Sequence, residues 1–194
     1  MIKEHKHRKT MSLDEFKTKN IFLVGLMGAG KTSVGRLLSR RMGKEFYDSD
    51  HVIEDRTGVK IMVIFDIEGE SGFRSRERDV IKELVRKKGI VLATGGGSIL
   101  DSENRQHLKN NGTVIYLHAS VGELVRRTNH DSKRPLLRTK NVKKKLDDLY
   151  IERDPLYRSI ADLIFETKNQ SVAELVSAIS FTINKNVSDC LRKR

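Results

Sequence analysis

The stretch NIFLVGLMGAGKTSVGRLL, residues 20 to 38, places a glycine-rich loop between two runs of different periodicity. The run before the loop, from Asn20 to Val24, is short and almost wholly apolar, which predicts a buried β-strand. The run after the loop repeats apolar residues at helical spacing and stops at Gly43, which predicts a helix. The stretch is therefore a strand–loop–helix unit, from which α/β folds are built.

The loop itself, GLMGAGKT, matches the spacing G-x-x-x-x-G-K-[ST] of loops that wrap the phosphates of a nucleotide. Backbone N–H groups can point at phosphate only where glycine permits a positive φ or leaves room, which fits Gly28 and Gly30. Lys31 supplies a mobile positive charge and Thr32 a hydroxyl for Mg²⁺. We therefore expect ATP or GTP to contact Gly28, Ala29, Gly30, Lys31, Thr32 and Ser33.

Four more short runs predict further strands, at residues 45–48, 90–93, 113–117 and 162–167, and helical patterns separate them. Alternating strands and helices favour a mainly parallel sheet covered by helices on both faces, which is an α/β fold. The chain is long enough for one full core and contains no repeat or long linker, so we expect a single domain.

Two carboxylates follow the second predicted strand, in the sequence YDSD. Asp48 and Asp50 are two positions apart, so on an extended chain both side chains face the same way at the carboxyl end of the strand, where open α/β sheets bind ligands. One carboxylate can then serve a metal ion and the other an acceptor hydroxyl. The structural alternative is that Asp50 caps the next helix and Asp48 is a surface loop residue.

The formal net charge of +12 is concentrated in residues 1–20, 121–153 and 182–194. This distribution indicates two solvated tails and one segment that handles anions, rather than a continuous track for nucleic acid. A nucleic-acid-binding module is further disfavoured because aromatic residues, which would stack on bases, make up only 6% of the chain. The guanine-reading motif Asn-Lys-x-Asp is also missing after the later strands, which disfavours a GTPase switch.

Segments that would carry the chain out of the cytoplasm are not evident. No stretch is apolar enough to span a bilayer, and the basic N-terminus lacks the apolar centre of a secretory signal. Cys190 stands alone and cannot form an internal disulfide, which agrees with a reducing compartment. We expect a cytoplasmic protein without a structural metal site, since His5 and His7 belong to a solvated basic tract.

Six short motifs follow one another along the chain: GLMGAGKT, FYDSD, GESGFRSRE, ATGGGS, RPLL and ERDPLY. In this order and at these separations they closely resemble the shikimate kinase family, over residues 20–181. The resemblance implies a nucleoside-monophosphate-kinase-like fold, with a parallel sheet of five strands in order 2-3-1-4-5 and a mobile lid at about residues 128–140. Residues 1–19 and 182–194 are then basic extensions of this domain.

The resemblance further implies transfer of a phosphoryl group from MgATP to the 3-hydroxyl of shikimate, giving shikimate 3-phosphate and ADP on the route to chorismate and the aromatic amino acids. Arg74 and Arg153 would clamp the substrate carboxylate, and Asp50 would hold the hydroxyls and accept the proton. From the residues alone, Arg74 could instead form an i,i+3 surface pair with Glu77, and Arg153 could lie on a solvated helix face.

The glycine triplet of ATGGGS would, by the same resemblance, line the acceptor pocket, because any Cβ there would occupy the space of the substrate ring. Its members are Gly95, Gly96 and Gly97. Their position after the third predicted strand agrees, since this is again the carboxyl edge of the sheet. A flexible loop is the alternative that the residues alone leave open.

On the nucleotide side, the resemblance implies that a closing lid brings Arg134 onto the ATP phosphates and excludes water. Arg127 would flank the adenine, and Gln170 would lie where the backbone contacts the base. One Mg²⁺ per subunit is expected on Thr32, with Asp48 acting through a water molecule. The expected partners are shikimate and ATP, bound by a monomer, with neither a membrane nor nucleic acid among them.

Two alternative functions stay open. A kinase of the same fold could act on another small acceptor such as gluconate, which also offers a carboxylate and hydroxyls, although the GFR, GGG and ERDPLY pieces together favour shikimate. A nucleotide-regulated nucleic-acid-binding module would instead show salt-dependent retention on DNA.

Overall fold

The computed structural model describes residues 19–128, 141–168 and 170–191, with side chains to residue 185. One sheet of five parallel strands runs through it in the order β2-β3-β1-β4-β5, which confirms the expected fold and strand order. The strands are β1 (Asn20–Val24), β2 (Glu45–Asp48), β3 (Ile90–Ala93), β4 (Gly112–His118) and β5 (Leu163–Glu166).

Helices connect these strands. Those in the described ranges are α1 (Lys31–Met42), α2 (Ser49–Thr57), α3 (Ile61–Leu84), α4 (Ser102–Asn111), α5 (Val121–Thr128), α6 (Val142–Ile160) and α7 (Val172–Leu191). Gly69, with φ 69° and ψ −176°, divides α3 into two helical segments. α7 continues past residue 181 to Leu191, so much of the expected C-terminal extension prolongs the last helix. Among the described helices, none has the length and apolarity needed to cross a membrane.

The core lies on both faces of the sheet. Every residue of β1 and β3 is buried, because a parallel sheet covered by helices on both sides leaves no strand face in water. Asn20 is the polar exception at the start of β1. Its side-chain amide donates to the carbonyl oxygens of Val85 and Lys87, and its oxygen accepts from the N–H of Ile90. This residue therefore ties β1 to the turn that leads into β3.

The strand register places three loops at one edge. Leu23 of β1 and Asp48 of β2 both pair with Ala93 of β3, so the carboxyl ends of these three strands lie side by side. The glycine-rich loop, the first turn of α2 and the glycine triplet leave the sheet from these ends. Parallel pairing thus brings together three of the motifs quoted above.

Candidate active site

The glycine-rich loop between β1 and α1 has the backbone that its spacing predicts. Gly28 and Gly30 have φ of 81° and 93°, backbone angles that residues with a Cβ rarely adopt. A Cβ on Gly28 would also lie 2.8 Å from the methyl group of Thr128. Gly30 stands at the N-terminus of α1, where free N–H groups and the helix dipole favour an anion.

Lys31 folds back over this loop. Its ammonium group donates to the carbonyl oxygens of Gly25 at 2.8 Å and Leu26 at 3.0 Å, and the side chain is buried. A positive charge is therefore held next to the free N–H groups of the first turn of α1. The loop and the lysine together form a site for a polyanion.

Thr32 and the end of β2 form the polar wall beside the loop. The Thr32 hydroxyl donates to Asp48 Oδ2 at 2.7 Å, and Asp48 Oδ1 accepts from the backbone N–H of Asp50 at 3.1 Å. Asp48, not Asp50, is thus the N-cap of α2. The strand-alternation argument for the two carboxylates is wrong, because the chain turns into α2 at Ser49. Both still line one cavity, because the first turn of α2 folds over the strand end.

A cavity of about 450 Å³ opens at this edge of the sheet. It is lined by the phosphate loop together with Asp48, Asp50, Gly96, Arg127 and Gln170. Its volume is in the range of pockets that hold small-molecule ligands. The cavity thus combines an anion-binding loop with two carboxylates.

Arg74 on α3 lies next to Gly97 of the glycine triplet, and Arg153 on α6 is close enough to Glu77 for its charge to act on that residue. Arg74 donates from Nη1 to Glu77 at 2.6 Å and from Nε and Nη2 to Glu70 at 3.2 and 2.8 Å. The pair of Arg74 and Glu77 therefore exists, but it is not a surface pair, because Glu77 is fully buried. Arg153 is 3% exposed, so it does not lie on a solvated helix face.

Glu77 is a further residue of this site, to which no sequence motif assigned a function. Its Oε1 is buried and has no hydrogen-bond partner within the described part of the chain. Burial and, to a smaller extent, the charge of Asp50 raise the pKa of this carboxyl group, Arg74 and Arg153 lower it, and the net result is a pKa of about 7. Around neutral pH this buried carboxyl group can therefore hold a proton.

A signal for Glu77 does exist in the sequence. The apolar stripe of α3 runs through Phe73, Val80, Ile81 and Leu84, and Glu77 falls within it, four residues from both Phe73 and Ile81. A charged residue on the buried face of an amphipathic helix is unusual unless it is paired. The position of Glu77 on the apolar face of α3, more than its spacing from Arg74, therefore indicates a functional role for this residue.

The glycine triplet is explained by these charged side chains. A Cβ on Gly95 would lie 2.2 Å from Glu77 Oε1 and 2.8 Å from Asp50 Oδ1, and one on Gly97 would lie 2.1 Å from Arg74 Nη2. The substituents at Gly95 and Gly97 would thus meet side chains of the site itself, a steric reason that the sequence motifs did not indicate. Gly95 and Gly97 are required because the backbone passes at contact distance from the charged groups, whereas a Cβ on Gly96 would lie 3.3 Å from the backbone nitrogen of Met27.

Comparison with known proteins shows the family to which this chain belongs. A family model described as "Shikimate kinase" matches residues 27–184. The shikimate kinase of Thiobacillus denitrificans is 58% identical over 163 residues, which cover 84% of this chain and 89% of that protein. The shikimate kinase of Chromobacterium violaceum is 58% identical over 160 residues, covering 82% of this chain and 87% of that protein. The chain belongs to the shikimate kinase family.

Solved structures agree with this assignment. Shikimate kinase from Acinetobacter baumannii, in complex with shikimate, is 48% identical with a TM-score of 0.86, covering 89% of this chain and 97% of that one. Shikimate kinase from Aquifex aeolicus is 32% identical with a TM-score of 0.73, covering 86% and 97%. A gluconokinase from Sinorhizobium meliloti, at 17% identity and a TM-score of 0.59, shares the fold alone.

The remaining residues expected from the shikimate kinase motifs divide into two groups. Arg127 lines the cavity, where it donates to Thr167 from Nη1 at 3.1 Å and from Nη2 at 2.6 Å, and to Glu123 from Nε at 2.7 Å. Gln170 lines the same cavity, and its side-chain amide donates to the carbonyl oxygen of Glu166. Arg134 and all but the first residue of the expected lid lie outside the described residues.

Substituting Gly95 by alanine is expected to damage the acceptor half of the shikimate kinase site and leave the nucleotide half intact. The new Cβ would displace Glu77 and Asp50, and misplacements of about 1 Å near reacting groups lower rates about 100-fold. We predict that kcat/KM for the acceptor falls by about this factor while the Kd for ADP changes less than about threefold. Steady-state kinetics and calorimetry measure both quantities.

Gly122→Ala is the matched control, since a Cβ at Gly122 in α5 meets no atom within 4 Å. It should leave kcat/KM within about twofold of the wild type, as surface changes usually do. Equal losses in both variants would contradict the explanation of the triplet.

The raised pKa of Glu77 predicts a pH-dependent contribution to stability. The pKa is higher in the folded state, so the contribution is fully present below about pH 4.5 and is lost as the pH rises through about 7. Glu77→Gln cannot titrate. Relative to the wild type, this variant should therefore gain stability between pH 5 and pH 8, by up to about 3 kcal/mol. Urea unfolding at both pH values measures the difference, and an equal difference at both would contradict the assignment.

Proposed function

We propose that this chain transfers the γ-phosphoryl group of ATP to the 3-hydroxyl of shikimate, forming shikimate 3-phosphate and ADP on the route to chorismate and the aromatic amino acids. One observation carries the acceptor side of this proposal: Nη1 of the buried Arg153 has no hydrogen-bond acceptor among the described residues. A buried donor without an acceptor is unfavourable, and more so when it is charged. A substrate carboxylate would supply the acceptor.

The carboxylate would lie between Arg153 and Arg74. Arg74 is already oriented by Glu70 and Glu77, which fix its guanidinium plane before the substrate arrives. Preorganised donors lose less conformational freedom on binding. Family membership supports shikimate as the acid that binds here, whereas gluconate has only the shared fold in its favour.

Asp50 would orient the acceptor hydroxyl and take its proton. Its carboxylate lines the nucleotide cavity and also lies 2.8 Å from the Cβ position of Gly95, so it stands where the two halves of the site meet. As the hydroxyl oxygen bonds to the γ-phosphorus, the bond from that phosphorus to the bridging oxygen of ADP breaks and the proton moves to Asp50. The remaining work is positioning and neutralisation of charge.

The phosphate loop and Lys31 would neutralise charge on the β- and γ-phosphates. Thr32 and Asp48 fit a hard cation such as Mg²⁺, because their side-chain oxygens lie 2.7 Å apart beside the loop and Mg²⁺ takes few protein ligands besides water and phosphate. Across residues 19–128, 141–168 and 170–191, no cluster of three or more His, Cys, Asp or Glu offers another metal site. Mg²⁺, when bound, supplies charge stabilisation on the transferred group.

We also assign three nucleotide contacts from the motif pattern. Arg127 would flank the adenine, supported by its position in the cavity wall, and Gln170 would lie near the base. Arg134 would reach the transferred phosphoryl group from the lid. A cytoplasmic monomer completes the proposal, and the single cysteine agrees with a reducing compartment.

Replacing Asp50 by asparagine should abolish transfer and spare nucleotide binding. The amide cannot accept a proton, and loss of a general base lowers kcat by about 100-fold to 10,000-fold. Release of ADP from MgATP in a coupled assay gives kcat, and calorimetry gives the Kd for ADP. Asp55→Asn, on an exposed position of the same helix, should behave as the wild type.

The same assay tests the function itself when shikimate, gluconate, a nucleoside monophosphate and no acceptor are compared in parallel. Turnover with shikimate alone is the expected result. Turnover with gluconate, or equal hydrolysis of ATP without an acceptor, would leave the phosphate loop as a nucleotide site and contradict the assignment of the acceptor.

A further inference from the structure

Tyr157 is fully buried on α6, one helical turn after Arg153. Its hydroxyl donates to the carbonyl oxygen of Gly96, the middle residue of the glycine triplet. Its ring stacks on that of Tyr116 from β4, with centroids 4.9 Å apart and 28° between the planes. Burial raises the pKa of the Tyr157 hydroxyl, so it remains a neutral donor throughout the physiological pH range.

The neighbouring peptide groups of the triplet are held by other residues. The N–H of Gly95 donates to the Ser49 hydroxyl at 2.9 Å, and the carbonyl oxygen of Gly95 accepts from the N–H and the hydroxyl of Ser98. The carbonyl oxygen of Gly96 accepts from Tyr157. The carbonyl oxygen of Gly97 accepts from the N–H of Leu100 at 3.0 Å. Each end of the triplet therefore has its own anchor, and Tyr157 is the anchor of the middle.

The peptide group between Gly96 and Gly97 is intrinsically easy to rotate. Both flanking residues are glycines, whose φ and ψ are the least restricted, so rotation of this peptide meets no Cβ. The peptide is trans, so its N–H points away from its C=O. Fixing the carbonyl of Gly96 toward α6 thereby fixes the direction of the Gly97 N–H as well.

The triplet also contacts the nucleotide loop at this point. A Cβ on Gly96 would lie 3.3 Å from the backbone nitrogen of Met27 and 3.5 Å from the carbonyl oxygen of Gly25. A rotated peptide would therefore disturb both the floor of the acceptor pocket and its border with the phosphate loop. Because Arg153 lies on the same helix, α6 bears both a proposed ligand of the acceptor and the anchor of the loop beside it.

We propose that Tyr157 is a positioning residue for the acceptor site: its hydroxyl selects one orientation of the Gly96–Gly97 peptide and so holds the glycine triplet in the form that binds the acceptor. This inference rests on the proposed function. It assigns Tyr157 no contact with substrate, and its effect should fall on the acceptor rather than on the nucleotide.

Tyr157→Phe tests the inference, because it keeps the ring and its stacking and removes one oxygen atom. We expect the KM for shikimate to rise about tenfold or more, as for the loss of one buried hydrogen bond, with a fall in kcat, while the KM for ATP and the Kd for ADP stay within about twofold. A merely structural role would not separate the two substrates in this way.

Tyr116→Phe is the matched control. It also removes a hydroxyl from a buried tyrosine, one that donates to Asp154 at 2.8 Å and does not touch the triplet. Both KM values should stay within about twofold of the wild type.

Three results would overturn the inference: a wild-type KM for shikimate in Tyr157→Phe, equal effects of the two variants, or loss of ADP binding together with shikimate binding in Tyr157→Phe. Loss of both ligands would show that Tyr157 stabilises the core of the protein and does not specifically position the acceptor site. Failure of the proposed function would appear separately, as absence of shikimate-dependent turnover in the wild type.

Discussion

The 2.6 Å ion pair between Arg74 and the buried carboxylate of Glu77 is the contact around which the acceptor half of the site is arranged. Two guanidinium groups, of Arg74 and Arg153, share this region with the carboxylates of Glu77 and Asp50. With both carboxylates ionised, these four charges cancel. An incoming carboxylate would add a negative charge, which a proton on Glu77 can offset. Protonation of Glu77 would thus allow the site to bind an anion with no net charge left buried.

These charged groups also determine the backbone beside them. The side chains of Glu77, Asp50 and Arg74 occupy the space that a Cβ at Gly95 or Gly97 would need, and Gly96 packs against the backbone of the phosphate loop. A segment without side chains is conformationally free, and this one is held by a hydrogen bond from the Gly95 N–H to the Ser49 hydroxyl and by one from the Tyr157 hydroxyl to the carbonyl oxygen of Gly96. The charged side chains thus require glycines beside them, and the glycines in turn require hydrogen bonds that fix their backbone.

The nucleotide half was predictable from local rules, whereas the acceptor half was only partly so. The bounds of β1 and the positive φ of Gly28 and Gly30 follow from short-range patterns. The predicted strand at residues 45–48 is correct, but the argument that Asp48 and Asp50 share one face of an extended chain fails, because the chain turns into α2 at Ser49 and Asp48 caps that helix.

Burial was only partly determined by sequence patterns. The apolar stripe of α3 points to a buried Glu77, whereas no pattern around Arg153 predicts its burial, which depends on the tertiary packing of α6. The same packing explains why glycines are needed in the triplet, because the side chains that a Cβ would meet come from distant parts of the chain. Long-range juxtaposition of charges is invisible to any rule based on neighbours in sequence.

The central claim, that a substrate carboxylate joins this balanced charge cluster, is tested most directly by counting protons on binding. Shikimate would be titrated into the protein at pH 7 in two buffers of different ionisation enthalpy. An added anion raises the pKa of Glu77 further, so the account predicts net proton uptake on binding, abolished in Glu77→Gln. Identical heats in both buffers, or proton release, would contradict it.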